Sequence, residues 1–304
     1  MSHPLYRFAV LCFCLGMAAA RTQAAAQQSA RDTVAARVPF ERELSAGRKP
    51  NVPGLEPYRV FETEWGWVVV DDSAKAGPVI ATMRAGINRF ERIFGKPVGR
   101  GVFTVAKEMP QETKDSLLKS AGSQWSWVLE DLPPVGKKRI YEFDFTRHEL
   151  THSWMRAAYP NEKAGPWFDE MAASLIQTRM DLNADSLLGL DPNYVEKYFV
   201  PLDTLFAMDN PVNAVLNEGR ELAYVLAIYA QFCSMGDFFI QHSLDPTIFR
   251  SLAEHFERGG QIADWLRTSG PQYSMPTTVA ELEQEWRWWL VHNPKADRPK
   301  ATTP

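Results

Sequence analysis

The 304-residue chain reads as an α+β protein, in which a small mixed β-sheet with one long helix precedes a mainly α-helical half. Three observations predict this. Short runs of β-branched and aromatic residues are concentrated between Tyr58 and Asp144. One longer segment of that region repeats its apolar residues at helical spacing. From Arg147 onward the strand-like runs give way to amphipathic stretches.

Taken in order, the chain opens with the pattern of an export signal. "MSHPLYR" supplies Arg7 in a short polar start, "FAVLCFCLGMAAA" supplies an apolar core, and small residues follow with cleavage expected after Ala20 or Ala26. The apolar run is shorter than the roughly 20 residues of a membrane span, so no stable span is expected once residues 1–26 are removed. An uncleaved N-terminal anchor is the alternative. The expected location is periplasmic or extracellular. Cleavage after Ala26 removes Arg7 and Arg21, lowering the net charge of −4 by two, to −6. Two of the three cysteines, Cys12 and Cys14, lie in the signal. Cys233 is then alone and is expected to be an inert buried thiol.

Residues 27–57, rich in Ala, Arg and Pro without a sustained period, are expected as a flexible arm or linker. A single folded domain is expected over 58–292, and a polar, Pro-containing tail over 293–304. "YRVFETEWGWVVV" (Tyr58–Val70) reads as one or two strands. "PVIATMRAGINRFERIFG" places Val79, Ile80, Met83, Ile87, Phe90, Ile93 and Phe94 on one helical face, with Gly95 as its stop. "GVFTVA" is a short buried strand. "SQWSWVLED" and "KRIYEFDF" are expected as two further strands joined through "LPPVGK". The pairs Trp65/Trp67 and Trp125/Trp127 fall at period two, so each pair should face one side of a strand, in core packing rather than as an aromatic platform. Later helices are expected over Glu221–Gln241, Gln261–Arg267 and Val279–Val291.

Composition excludes some partners. Hydrophobic residues are 45% and charged residues 23% of the chain, as in an ordinary globular protein. The basic residues form no dense run, which argues against nucleic acid as a partner.

The chemistry is concentrated in "RHELTHSW" (Arg147–Trp154). Residues four apart on an α-helix are offset by only about 40°, so His148 and His152 can point two imidazoles at one ion. Glu149 lies about 100° round from His148, near that ion but not aimed straight at it. Two neutral nitrogen ligands with an adjacent carboxylate are what a hydrolytic zinc site uses. Asp144 is a candidate N-cap for this helix, and Pro160 ends it. Zinc also takes a third protein ligand. "GPWFDEMAAS" offers Glu170, after seventeen intervening residues, at the start of a second expected helix, "FDEMAASLIQTRM". The expected cofactor is one Zn2+ per chain, held by His148, His152 and Glu170.

"HELTH" followed by "WFDEMAAS" resembles the gluzincin pattern, within the peptidase MA-like zinc metallopeptidases that include relatives of thermolysin and aminopeptidase N. The similarity extends over roughly Tyr58 to Val291, through "RFERIFG", "YAQFCSMGDFF" and "AELEQEWRWWL". The resemblance implies a zincin-like fold with the metal in a cleft between its two halves. It implies a metallopeptidase acting on peptide or protein substrates, with Glu149 as general base. It also implies an oxyanion-stabilising tyrosine, for which Tyr229 matches best and Tyr224 is the alternative. Ser174, one turn after Glu170, would orient a ligand histidine or simply permit close helix packing. The "GxMEN" stretch with which aminopeptidases grip a free amino terminus is absent, and Met171 stands where a glycine usually follows the ligand glutamate. Two other readings remain open at this level: a non-catalytic cell-envelope protein that binds polypeptide or glycan, and a zinc hydrolase acting on a non-peptide amide.

Overall fold

The computed structural model describes residues 41–135, 137–177, 197, 199–208, 222–245 and 247–292. The expected export signal, the first part of the arm and the tail 293–304 lie outside these residues, as do His3 and Met180. Over the described residues the chain divides into two compact units, one up to Pro160 and one from Asn161 onward.

The first unit is built on a five-stranded sheet of order β1-β2-β3-β4-β5. Its strands are β1 (Glu41–Glu43), β2 (Arg59–Thr63), β3 (Gly66–Val70), β4 (Gly101–Val105) and β5 (Trp125–Leu129). β1, β2 and β3 pair antiparallel, while β3, β4 and β5 pair parallel. Parallel neighbours need crossovers. α1 (Ala76–Phe94) connects β3 to β4, and α2 (Gln111–Ala121) connects β4 to β5. α1 stops where expected, at Gly95, whose φ of 71° forms a left-handed cap. α2 was not anticipated, because its sequence "QETKDSLLKSA" buries only Thr113 and Leu117 and so carries little periodic signal.

One apolar cluster joins Val60, Val69 and Val102 of the sheet to Leu117 of α2 and to Leu44, Val52, Leu55 and Tyr58. The stretch from Glu41 to Pro57, expected as part of a flexible arm, is therefore packed. β1 pairs with β2, and Leu44, Val52 and Leu55 are each 6% exposed or less. Their apolar side chains are spaced too irregularly to announce a regular element. The alternate residues Val68, Val70, Phe103 and Val105 are also fully buried and point to the opposite face, on which α1 lies. Burial on both faces accounts for β4 being apolar almost throughout.

The strand expected at "KRIYEFDF" is instead the beginning of α3 (Lys137–Ala158). The alternation seen over six residues competes with a longer helical series: Phe143, Thr146, Leu150 and Trp154 are all buried at spacings of three and four. Packing against the sheet and α1 selects the helix. Asp144 is consequently an interior residue of α3, ion-paired with Arg147, and not its N-cap.

α3 is held by an aromatic chain. Trp154 meets Phe90 of α1 edge-on at 5.8 Å and Trp125 of β5 at 5.9 Å, and Trp125 stacks on Trp65 at 5.5 Å. Gly101 makes room for this, since a Cβ there would lie 2.0 Å from the Trp125 ring. At the end of α3, Tyr159 donates to the Phe94 carbonyl and Lys96 donates to the Ala158 carbonyl at 3.0 Å. The pair Trp65/Trp67 does not share one side as expected. Trp65 occupies the two-residue turn between β2 and β3, where Gly66 has φ 141°, and it stacks toward Trp125 while Trp67 packs on the α2 cluster.

The second unit is helical. Among the described residues its α-helices are α4 (Pro166–Gln177), α5 (Leu202–Phe206), α6 (Leu222–Ser243), α7 (Ile248–Glu257), α8 (Ile262–Thr268) and α9 (Val279–His292). α4 packs along α6, the long helix expected from the sequence. α7 buries Ile248, Phe249, Leu252, Ala253 and Phe256 on one face. Phe256 packs edge-on against Trp167 at 5.6 Å and Phe168 at 4.9 Å, and Phe206 lies 4.6 Å from Trp167. These contacts fix the first turn of α4. Gln231 of α6 exchanges two 2.9 Å hydrogen bonds with the backbone of Val200, which satisfies a buried amide. Among the described residues, no helix is long and apolar enough to cross a membrane.

Candidate metal centre

α3 carries both histidines on its buried side. His148 and His152 are each 7% exposed, and their rings stand 5.1 Å apart at an interplanar angle of 82°. Between them Leu150 and Thr151 are fully buried, and the Thr151 hydroxyl donates to the Arg147 carbonyl at 2.7 Å. The spacing of four residues thus does what helix geometry requires, bringing two imidazoles to one place.

Glu170 is the third member. It stands in the first half of α4, 6% exposed, two residues after Phe168 of the anchored pair Trp167 and Phe168. One ligand atom from each of His148, His152 and Glu170 lies within 4.8 Å of the other two. Four-coordinate zinc would hold its ligand atoms about 3.4 Å apart, a spacing of the same order. The donor set fits as well. Two imidazole nitrogens and one carboxylate oxygen are borderline and hard donors that suit zinc, and three protein ligands leave a fourth position open. Burying a carboxylate and two imidazoles in an apolar setting is costly unless something compensates for lost water, and a cation does so. These residues could hold a metal ion.

Glu149 is half-buried on α3, adjacent to His148. Tyr229 is 7% exposed on α6 and packs edge-on against Phe232 at 6.0 Å. It shares a helical face with Cys233 and Gly236, which lie four and seven residues later, and both of these touch α4. Tyr224, nearer the start of the helix, is half-buried. Ser174 donates to the Glu170 backbone carbonyl at 2.8 Å and accepts from the Cys233 thiol at 2.8 Å. It therefore ties the ligand-bearing helix to α6. Cys233 is buried, as its apolar setting implied. His292 is exposed, His255 is half-buried, and His242 is half-buried beside Glu285 at 3.3 Å.

Sequence reading missed Glu162. It is half-buried in the turn before α4, and its carboxyl is pushed up to about 7, first by burial and then by the charge of Asp169, against a lowering hydrogen bond from the Ala164 N–H. No pattern in "YPNEKAG" marks it, because its environment comes from tertiary packing.

The chain matches no family model, no curated protein and no solved structure. The likeness to gluzincins rests on the residues themselves.

Proposed function

We propose that this protein is an exported zinc-dependent metallopeptidase of zincin-like, gluzincin type that hydrolyses peptide bonds in peptide or protein substrates. The observation that carries the reading is the approach of His148, His152 and Glu170 to within 4.8 Å of one another at their ligand atoms. An intact glutamate beside the first histidine supports catalysis over mere binding, since a binding protein has no use for a base at that position. The apolar, small-residue pattern of residues 1–26 supports export.

In this reading His148, His152 and Glu170 hold one zinc ion per chain. When bound, a zinc ion would lower the pKa of a water ligand to about 7, far below its ordinary value, and polarise a carbonyl. Glu149 accepts a proton from the attacking water and delivers it to the leaving amine. Tyr229, with Tyr224 as the alternative, donates a hydrogen bond to the developing oxyanion. The burial of all three ligands excludes competing water and strengthens these electrostatic interactions.

Metal analysis of the purified protein is expected to give about one zinc per chain, lost in His148→Ala. Wild type is expected to cleave an unstructured protein such as casein, and Glu149→Gln to keep its zinc and lose cleavage. A protein without stoichiometric metal sinks the proposal. A zinc-loaded wild type as inactive as Glu149→Gln over a broad peptide library points instead to a non-catalytic envelope protein that binds polypeptide or glycan.

A further inference from the structure

α3 carries an ion pair just ahead of its histidines. Arg147 donates through Nη2 to Oδ1 of Asp144, and the two side chains are only 17% and 21% exposed. The stem of Arg147 lies against α1, where a Cβ on Gly86 would come 3.0 Å from its Cδ and 3.3 Å from its Cγ. The Nε of Arg147 is buried and has no hydrogen-bond partner among the described residues. Asp144 therefore supplies the charge that compensates this guanidinium, in a place where water screens both charges poorly.

The pair is fixed close to the first histidine. Arg147 immediately precedes His148, and Asp144 stands four residues before it, on the same side of the helix. His148 is itself 7% exposed, so a cation held there would feel both charges through protein more than through water. The two signs act oppositely on it, the carboxylate attracting and the guanidinium repelling. We propose that the Asp144–Arg147 pair tunes how tightly His148, His152 and Glu170 hold a divalent cation, Asp144 raising the affinity and Arg147 lowering it. Neither residue belongs to the ligand group; both act through space. The tuning presupposes the metal centre but not peptidase activity.

Zinc affinity of the full chain, stripped with EDTA and titrated against a chromogenic chelator near neutral pH, tests it. Arg147→Met keeps an apolar stem of similar length and is expected to bind zinc about tenfold more tightly than wild type, whereas Asp144→Asn binds about tenfold more weakly. The double variant is expected to return to within about threefold of wild type, and Arg147→Lys, which keeps the charge, to stay near it. A merely structural pair would lower the affinity in both single variants, as it would lower the melting temperature of both apoproteins. The opposite signs separate tuning from that. If Arg147→Met does not fold, the step from Asp144→Asn to the double variant reads the Arg147 effect instead. Shifts of one sign in the two single variants, or affinities equal to wild type in both, overturn the tuning alone. A wild type that binds no zinc sinks the metal centre, and the tuning with it.

Discussion

The thiol of Cys233 on α6 donates to the hydroxyl of Ser174 on α4 across 2.8 Å, and Ser174 donates in turn to the backbone carbonyl of Glu170. The helix that presents Glu170 is thereby fastened to its neighbour one turn after that residue. Ser174→Ala removes both bonds and leaves a buried thiol without this acceptor. The expected loss is about 1 kcal/mol of stability, read as a lower urea midpoint at unchanged m-value.

Gly236 allows α4 and α6 to approach closely. A Cβ at this position would lie 3.0 Å from Leu175 Cδ2 and 3.1 Å from Met171 Cγ. Gly236→Val forces these buried side chains apart and is expected to cost about 1–3 kcal/mol, as overpacking does. Thermal unfolding followed by far-UV circular dichroism measures it, and an unchanged melting temperature contradicts the packing.

Trp154 is fully buried two residues after His152, between Phe90 and Trp125. Trp154→Ala is expected to destabilise the protein by about 3–5 kcal/mol. Trp154→Phe retains one ring and should cost markedly less. Near-UV circular dichroism is expected to lose intensity in both, since Trp125 and Trp65 share the same stack.

Gly101 opposes Trp125 across the β4–β5 ladder, and a Cβ there would overlap the indole at 2.0 Å. Gly101→Ala has to move the ring that supports α3, at an expected cost of about 1–3 kcal/mol. A lower melting temperature together with an altered tryptophan emission spectrum is the predicted outcome.

Metal removal gives a prediction that depends on the proposed function. A ligand that binds only the folded state at 1,000 times its Kd stabilises by about 4 kcal/mol. EDTA is therefore expected to lower the melting temperature of zinc-loaded wild type by several degrees and to leave His152→Ala unaffected. Equal response of the two proteins contradicts coordination by His152.

The sequence made parts of this molecule legible and hid others, for identifiable reasons. The helix that ends at Gly95 was readable because its apolar residues recur at one period and a left-handed glycine closes it. The strands at Gly66–Val70 and Gly101–Val105 were readable from β-branched runs. "IYEFDF" misled because a short alternation looks the same whether its residues pair with a strand or turn through a helix. α2 was silent because only two of its residues are buried.

What the sequence determined by itself is local: His148 and His152 share a helical face, Glu149 stands beside them, and Gly95 ends a helix, since each follows from backbone geometry over a few residues. Tertiary structure decided whether "KRIYEFDF" became helix or strand, which side Trp65 and Trp67 took, that Glu170 joined the two histidines, and that the Glu162 carboxyl rose to about 7. Burial and charge at each of these places come from groups that only folding brings together, and short-range spacing carries no record of them.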